Sequence, residues 1–354
     1  MPKPKLLLHI GHSKCGSTTI QRTLLANQDQ LKEQKVFLYG RDLSSSREGS
    51  VKGMPNAVLN DAEHWKTAAE QVASVVEQAG ENDTYILSAE ILCQPRMAGF
   101  VAHLTEYFDS RIIHYIRPQT DWCYSAWKQW QVKRGLKLQE WVDHCSGNHL
   151  PAFWQAWENY RDTGFTPDSY SMRILNRAFL HEGDLIADFC QWAGLDPTGW
   201  TRPVEQSNPN VDHALLEVFR ASESIFSNSR DNRAFDWAVK RLPEEVVKRR
   251  GGLTAAQEQQ ILSAHQVHNT EICAQFFSER AEDFWSLFSA RKTESEDTLP
   301  EDQLRIQQLE TELEGLRRVV GYLINVMVEQ DKSLPSQAIM EAAVKQWRET
   351  QGIK

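Results

Sequence analysis

The run Leu6-Leu-Leu-His-Ile10 breaks directly into Gly11-His-Ser-Lys-Cys-Gly16, and from Ser17 onward Ile20, Leu24, Leu25 and Leu31 fall on one helical face. An apolar run this short is a buried strand, and the three-to-four spacing that follows is an amphipathic helix. A strand that turns through two glycines into a helix constrains the fold strongly, because the helix must carry the chain across a sheet. The pattern repeats. Val36-Phe-Leu-Tyr39, Thr84-Tyr-Ile-Leu-Ser88 and Arg111-Ile-Ile-His-Tyr-Ile116 read as further strands. Helical stretches are expected over 62–78 and 100–108 and from near Thr120. This alternation predicts an α/β fold, a parallel sheet with helices on both faces. Ligands of such sheets bind beyond the carboxyl ends of the strands, here residues 11–19, 88–92 and 117–125. Residues 41–61, rich in Ser, Gly, Asn and Asp, read as a long loop of the kind that more often carries function than not.

The second half reads differently. From Trp141 to about Ser289 the pattern is mostly helical, with Tyr170-Ser-Met-Arg-Ile174 as one more strand. Residues 291–303 lack apolar periodicity and read as a linker. Ile306, Leu309, Leu313, Leu316, Val320, Leu323 and Met327 then step by three and four, a C-terminal coiled-coil helix. The expected organisation is a main domain over 1–290, the linker 291–303, the coiled coil 304–332 and an amphipathic tail 333–354. With about three heptads, two readings stay open: a homodimer through the seam, or a helix folded back on its own domain.

Charge narrows the partners. Of 354 residues, 25% are charged and the formal net charge is −9, so neither nucleic acid nor an anionic membrane is expected as a general partner. An anion must be held by a local constellation instead. The six cysteines stand at 15, 93, 123, 145, 190 and 273 without a CxxC pair, which suits reduced thiols and gives no metal signature. No stretch approaches the ~20 apolar residues of a membrane span. The chain reads as a soluble, cytoplasmic protein.

The glycine loop has its own chemistry. Gly11 and Gly16 allow tight turns, so that backbone N–H groups and the positive end of the next helix can face an anion. Lys14 adds a point charge, and Ser17, Thr18 and Thr19 add hydroxyl donors. A nucleoside-triphosphate loop of the form GxxxxGK[ST] has its lysine after the second glycine; here Ser17 stands there and the lysine lies at 14. The order Lys14-Cys15-Gly16-Ser17-Thr18 resembles the 5′-phosphosulfate loop of the sulfotransferases that use 3′-phosphoadenosine 5′-phosphosulfate (PAPS), written K-x-G-[ST]-T. Cys15 takes a position often held by Ser and is expected to contribute backbone only. That family binds the 3′-phosphate with an Arg at a later strand end and a Ser eight residues on. Arg117-Pro-Gln-Thr-Asp-Trp-Cys-Tyr-Ser125 has that spacing. Residues 176–195 and 253–277 are also similar to later segments of bacterial members, so the resemblance covers residues 5 to about 290. Lys248-Arg-Arg-Gly-Gly252 is either a loose counterpart of a further nucleotide-holding element or an exposed basic turn involving Arg249 and Arg250.

The resemblance implies a sulfotransferase-like P-loop fold, PAPS as co-substrate with 3′-phosphoadenosine 5′-phosphate as product, no metal, and transfer of a sulfuryl group to an acceptor hydroxyl, on a carbohydrate or glycolipid. Lys14 would stabilise the leaving phosphate. Glu90, just past the third strand, would be the general base, with His12 as competitor. His9 and His114 lie inside apolar strands and read as core. Trp127 and Trp130, expected on the same helix as Ser125, and the loop 41–61 are candidate acceptor walls. Two other readings are a P-loop kinase or NTPase, which would need a lysine after Gly16, and a non-catalytic nucleotide-binding module, for which Lys14 and Glu90 would be idle.

Overall fold

Five parallel strands form a single sheet in the computed structural model, which describes residues 3–60, 65–80, 82–203, 213–221 and 252–289 and the isolated positions 226, 228, 229, 231, 232, 306, 309, 313, 316 and 320. The strands are β1 (Lys5–His9), β2 (Val36–Leu38), β3 (Thr84–Ser88), β4 (Asp109–Ile116) and β5 (Tyr170–Ile174), in the order β2-β3-β1-β4-β5. β1 lies between β3 and β4, with Lys5 opposite both Thr84 and Asp109. A central strand covered on both faces is apolar through its middle, and Leu6, Leu7 and Leu8 are buried accordingly. The strand sits one residue earlier than the apolar run suggested, although Ile10 still donates its N–H to Ile113 O at 3.1 Å.

Helices α1 (Ser17–Ala26) and α2 (Gln28–Glu33) lead from β1 to β2, and α3 (Asn56–Asn60) and α4 (Trp65–Ala73) from β2 to β3. α5 (Met97–Leu104) joins β3 to β4; α6 (Gln119–Ala126), α7 (Leu138–Gly147) and α8 (Phe153–Arg161) lie between β4 and β5. After β5 come α9 (Leu185–Ala193), α10 (His213–Ala221), α11 (Ala255–Phe276) and α12 (Ala281–Phe288). The period of two along β4 and β5 sorts the two layers. Tyr115 and Arg173 turn to one face, where both bond Asp188 of α9. His114 and Tyr170 turn to the other, against Phe153 and Trp157 of α8 and Phe276 of α11. The predicted α/β class with helices on both faces is the observed one.

Some elements differ from the sequence expectation. The stretch 62–78 is a helix over Trp65–Ala73 and then a separate 3-10 turn, Val76–Gln78. Trp127 and Trp130 do not continue α6; a π-helical turn, Trp127–Gln131, interrupts it. The loop 41–61 contains α3 and a bridge between Tyr39 and Ser45.

The chain divides into two compact units. One comprises Met1–Trp127, Leu138–Ser207 and Leu253–Arg291 and holds the sheet; the other comprises Lys128–Lys137, Asn208–Gly252 and Lys292–Lys354. Within the second, Lys133 Nζ donates to Ser229 O and Asn232 Oδ1, and Arg220 of α10 donates to Gly135 O. The heptad positions Ile306, Leu309, Leu313, Leu316 and Val320 are helical and between 37% and 53% exposed. Leu323, Met327, the linker 291–303, the tail 333–354, Arg249 and Arg250 lie outside the described residues. No helix among the described residues is long and apolar enough to cross a membrane.

Candidate active site

With all five strands parallel, their carboxyl ends share one edge, and the loops after β1, β3 and β4 leave from it. The first is the glycine loop. Lys14 has φ 67° and Gly16 φ 83°, so left-handed residues flank Cys15. For a lysine that conformation costs about 1–2 kcal/mol, a strain that concentrates at ligand sites. Such alternation lines up successive N–H groups as a concave anion nest. Gly16 is required twice over: beyond its φ, a Cβ there would lie 2.5 Å from Leu185 Cδ2 on α9. As N-cap of α1 it offers no side-chain cap, and the first turn carries no acidic residue. The Thr19 N–H already donates to Gly16 O at 3.1 Å, so the Ser17 and Thr18 N–H groups, with the dipole, are what α1 offers an outside acceptor.

The β4–α6 junction holds this loop from the side. Arg117 Nη1 donates to Lys14 O at 3.2 Å, and Trp122 Nε1 donates to Ser13 O at 2.8 Å. Both bonds take carbonyls, while the Cys15 N–H turns back on the loop and donates to His12 O at 3.2 Å. Arg117 also pairs with Asp121 at 3.4 Å, one helical turn on. Gln119, at the start of α6, exchanges amide bonds of 2.6 and 3.3 Å with Asn269 of α11, which fixes the entry of the helix. Ser125 is half-buried on the same helix.

Glu90 opens a 3-10 turn, Glu90–Cys93, just beyond β3. Its Oε1 accepts a hydrogen bond from Ser17 Oγ. The hydroxyl expected to face a phosphate is thus donated to the candidate base. Asn56 Oδ1, from α3, accepts from the Ile91 N–H at 3.3 Å and brings the 41–61 segment to the same turn. Three segments that the sequence separates by 73 and 103 residues meet around Ser17 and Lys14.

Cys15 and His12 are buried, whereas Thr18 is exposed and Ser13 and Thr19 are half-buried. Cys15 is sealed, and burial pushes its thiol far up despite the opposing Arg117, as fits a backbone role. His12 is 8% exposed, and burial holds its imidazole down at about 3 from an ordinary 6.5. Its Nδ1 meets His114 Nε2 at 2.8 Å, and His114 Nδ1 meets Tyr170 Oη at 2.7 Å. His9 is core, as expected, with Nδ1 on Ser88 Oγ and its ring against Tyr115 and Phe189. Sequence reasoning missed Trp122, Asp121 and the His114–Tyr170 contact. Asp121 could have been found from its i+4 spacing to Arg117; the others had no local signal.

No family model matches the chain, and no curated protein does. Among solved structures, it is similar to a sulfotransferase from Alicyclobacillus acidocaldarius at 12% identity, over 56% of this chain and 84% of that one, with a TM-score of 0.32. The sulfotransferase domain of the Synechococcus PCC 7002 olefin synthase matches at 15% identity, over 63% and 90%, with a TM-score of 0.32. A sulfotransferase domain from the curacin biosynthetic pathway matches at 9% identity, over 76% and 98%, with a TM-score of 0.31.

Proposed function

We propose that the chain is a sulfotransferase that moves the sulfuryl group of PAPS to an acceptor hydroxyl on a carbohydrate or glycolipid. The observation that carries this reading is the contact of Arg117 with Lys14 O. It supports the reading because Lys14–Thr19 and Arg117–Ser125, the candidate 5′- and 3′-phosphate segments, then share one edge of the sheet, as a nucleotide with phosphate at both positions requires. The left-handed loop, the uncapped α1 and the arginine fork all suit anionic oxygens.

In the transfer, the bond from sulfur to the acceptor oxygen forms as the bond from sulfur to the 5′-phosphate oxygen breaks. The acceptor proton passes to the Glu90 carboxylate. The negative charge left on 3′-phosphoadenosine 5′-phosphate is met by Lys14, the amides of the loop and the start of α1. Positioning and electrostatics dominate such a reaction, and no metal enters the scheme. The acceptor approaches Glu90 past α3, the segment that Asn56 ties to the Glu90 turn. The test is transfer of labelled sulfate from PAPS to a panel of glycans and small alcohols. Lys14→Ala and Glu90→Gln should each abolish turnover. Normal turnover by Glu90→Gln would refute the base, and absence of transfer to every hydroxyl tested would count against the reaction.

We further propose that the exposed heptad face pairs two copies of the chain. Leu309→Glu with Leu316→Glu should lower the sedimenting mass of the full chain; an unchanged mass would favour the folded-back helix.

A further inference from the structure

The chain His12–His114–Tyr170 is not used by the transfer step as written, yet it ends in the phosphate loop. Its members come from the loop after β1, from β4 and from β5, 102 and 56 residues apart. His114 and Tyr170 are 0% exposed, and only His12, at 8%, opens to the outside. Apolar rings enclose the chain: Phe153 lies edge-on to both imidazoles, and Trp157 and Phe276 pack on Tyr170.

Burial keeps both imidazoles neutral. The proton count is then fixed at one per ring and one on the phenol. Each of the two contacts holds one proton, which leaves two arrangements. In the first, Tyr170 O–H donates to His114 Nδ1, His114 Nε2–H donates to His12 Nδ1, and His12 presents Nε2–H. In the second, every bond is reversed: His12 Nε2 is bare and the Tyr170 O–H must find another acceptor. Among the described residues the hydroxyl has none besides His114, and the residue is sealed from water. An orphaned buried donor disfavours the second arrangement by roughly ten- to a hundredfold.

We infer that Tyr170 and His114 are positioning residues that hold His12 in its Nε2–H tautomer, so that His12 is a neutral hydrogen-bond donor to an oxygen of the phosphosulfate group and not a base. The inference rests on the proposed function for the identity of the oxygen, but not for the tautomer. It decides between the two candidates for proton acceptor. A ring whose outward nitrogen already carries a proton has no lone pair for an acceptor hydroxyl, and the role falls to Glu90. A neutral donor strengthens its bond as charge develops on the oxygen it touches, without adding a buried positive charge that the site would have to hold in the resting enzyme.

Long-range nitrogen–proton correlation spectra of the full chain with labelled histidine read the tautomer directly. The His12 signals, assigned by their loss in His12→Gln, should show Nε2 protonated and Nδ1 bare. Tyr170→Phe removes the phenolic proton while keeping the ring, and the Nδ1–H form of His12 should then become detectable. Nδ1–H in the wild type, or no change in Tyr170→Phe, would overturn the inference. Activity gives a second readout. His12→Gln keeps an N–H donor without a base, so its kcat should fall clearly less than that of His12→Phe, which should lose roughly a hundredfold, as removal of one such donor does. Equal collapse of both variants would contradict the donor role. If the protein neither transfers sulfate nor binds 3′-phosphoadenosine 5′-phosphate, the proposed function fails, and the spectra still decide the tautomer.

Discussion

The two faces of the sheet are held in opposite ways. On the α9 face, Asp188 is completely buried and accepts from Tyr115 Oη at 2.7 Å, from Arg173 at 2.6 and 2.5 Å, and from the His181 N–H at 2.9 Å. Four donated bonds on one carboxylate saturate Asp188 and close that network. On the α8 face the polar groups are neutral, joined in a line, and open at His12. A closed charged network anchors; an open neutral line delivers a donor to one place. The candidate site stands where the open line ends.

The largest effect expected is on the closed face. Asp188→Ala leaves the Arg173 guanidinium half-buried without its carboxylate and should cost about 3–5 kcal/mol in urea unfolding. A loss below about 1 kcal/mol would mean that the network is not an anchor. Acid should act through the imidazoles. Burial holds His9 and His12 at about 3, against an ordinary 6.5, and His114 well below its ordinary value. Between those values the unfolded chain binds protons that the folded chain refuses, so stability is full above about pH 6.5 and is lost as pH falls. The loss from pH 7 to pH 5 is about 2 kcal/mol per histidine. A urea midpoint that does not move over that range would show the rings to be protonated in the folded protein.

The α9 face meets the loop at Gly16, against Leu185. Gly16→Ala should cost about 1–2 kcal/mol from its left-handed φ and weaken nucleotide binding as well; binding that survives unchanged would separate the loop from the site. The smallest effect belongs to Trp122→Phe, which removes the bond to Ser13 O. About 1 kcal/mol of stability should go, with a measurable loss of affinity for the bisphosphate.

What the sequence revealed follows from how local each signal is. β3 and β5 could be placed to the residue because apolar runs between turn residues mark a buried strand. The glycine loop was legible for the same reason, since its whole logic lies within residues 11–19. That the segments after β1, β3 and β4 share an edge followed from the alternation of strands and helices. The bonds between them did not: nothing in either segment says that Ser17 gives its hydroxyl to Glu90, or that Arg117 holds a carbonyl of the loop. His114 read as a packed strand residue, and it is one, but its bonds to His12 and Tyr170 exist only once β1, β4 and β5 lie side by side. The π-helical turn after Ala126 was also out of reach, because a single wide turn leaves the apolar spacing around it almost unchanged.

The central claim is that one edge of this sheet binds a nucleotide carrying both 5′ and 3′ phosphate. Calorimetry with 3′-phosphoadenosine 5′-phosphate, and separately with ATP and magnesium, tests it most directly. Saturable binding of the bisphosphate without magnesium, lost in Arg117→Ala, is expected, with little heat from ATP. Preference for ATP with magnesium, or bisphosphate binding untouched by Arg117→Ala, would contradict it.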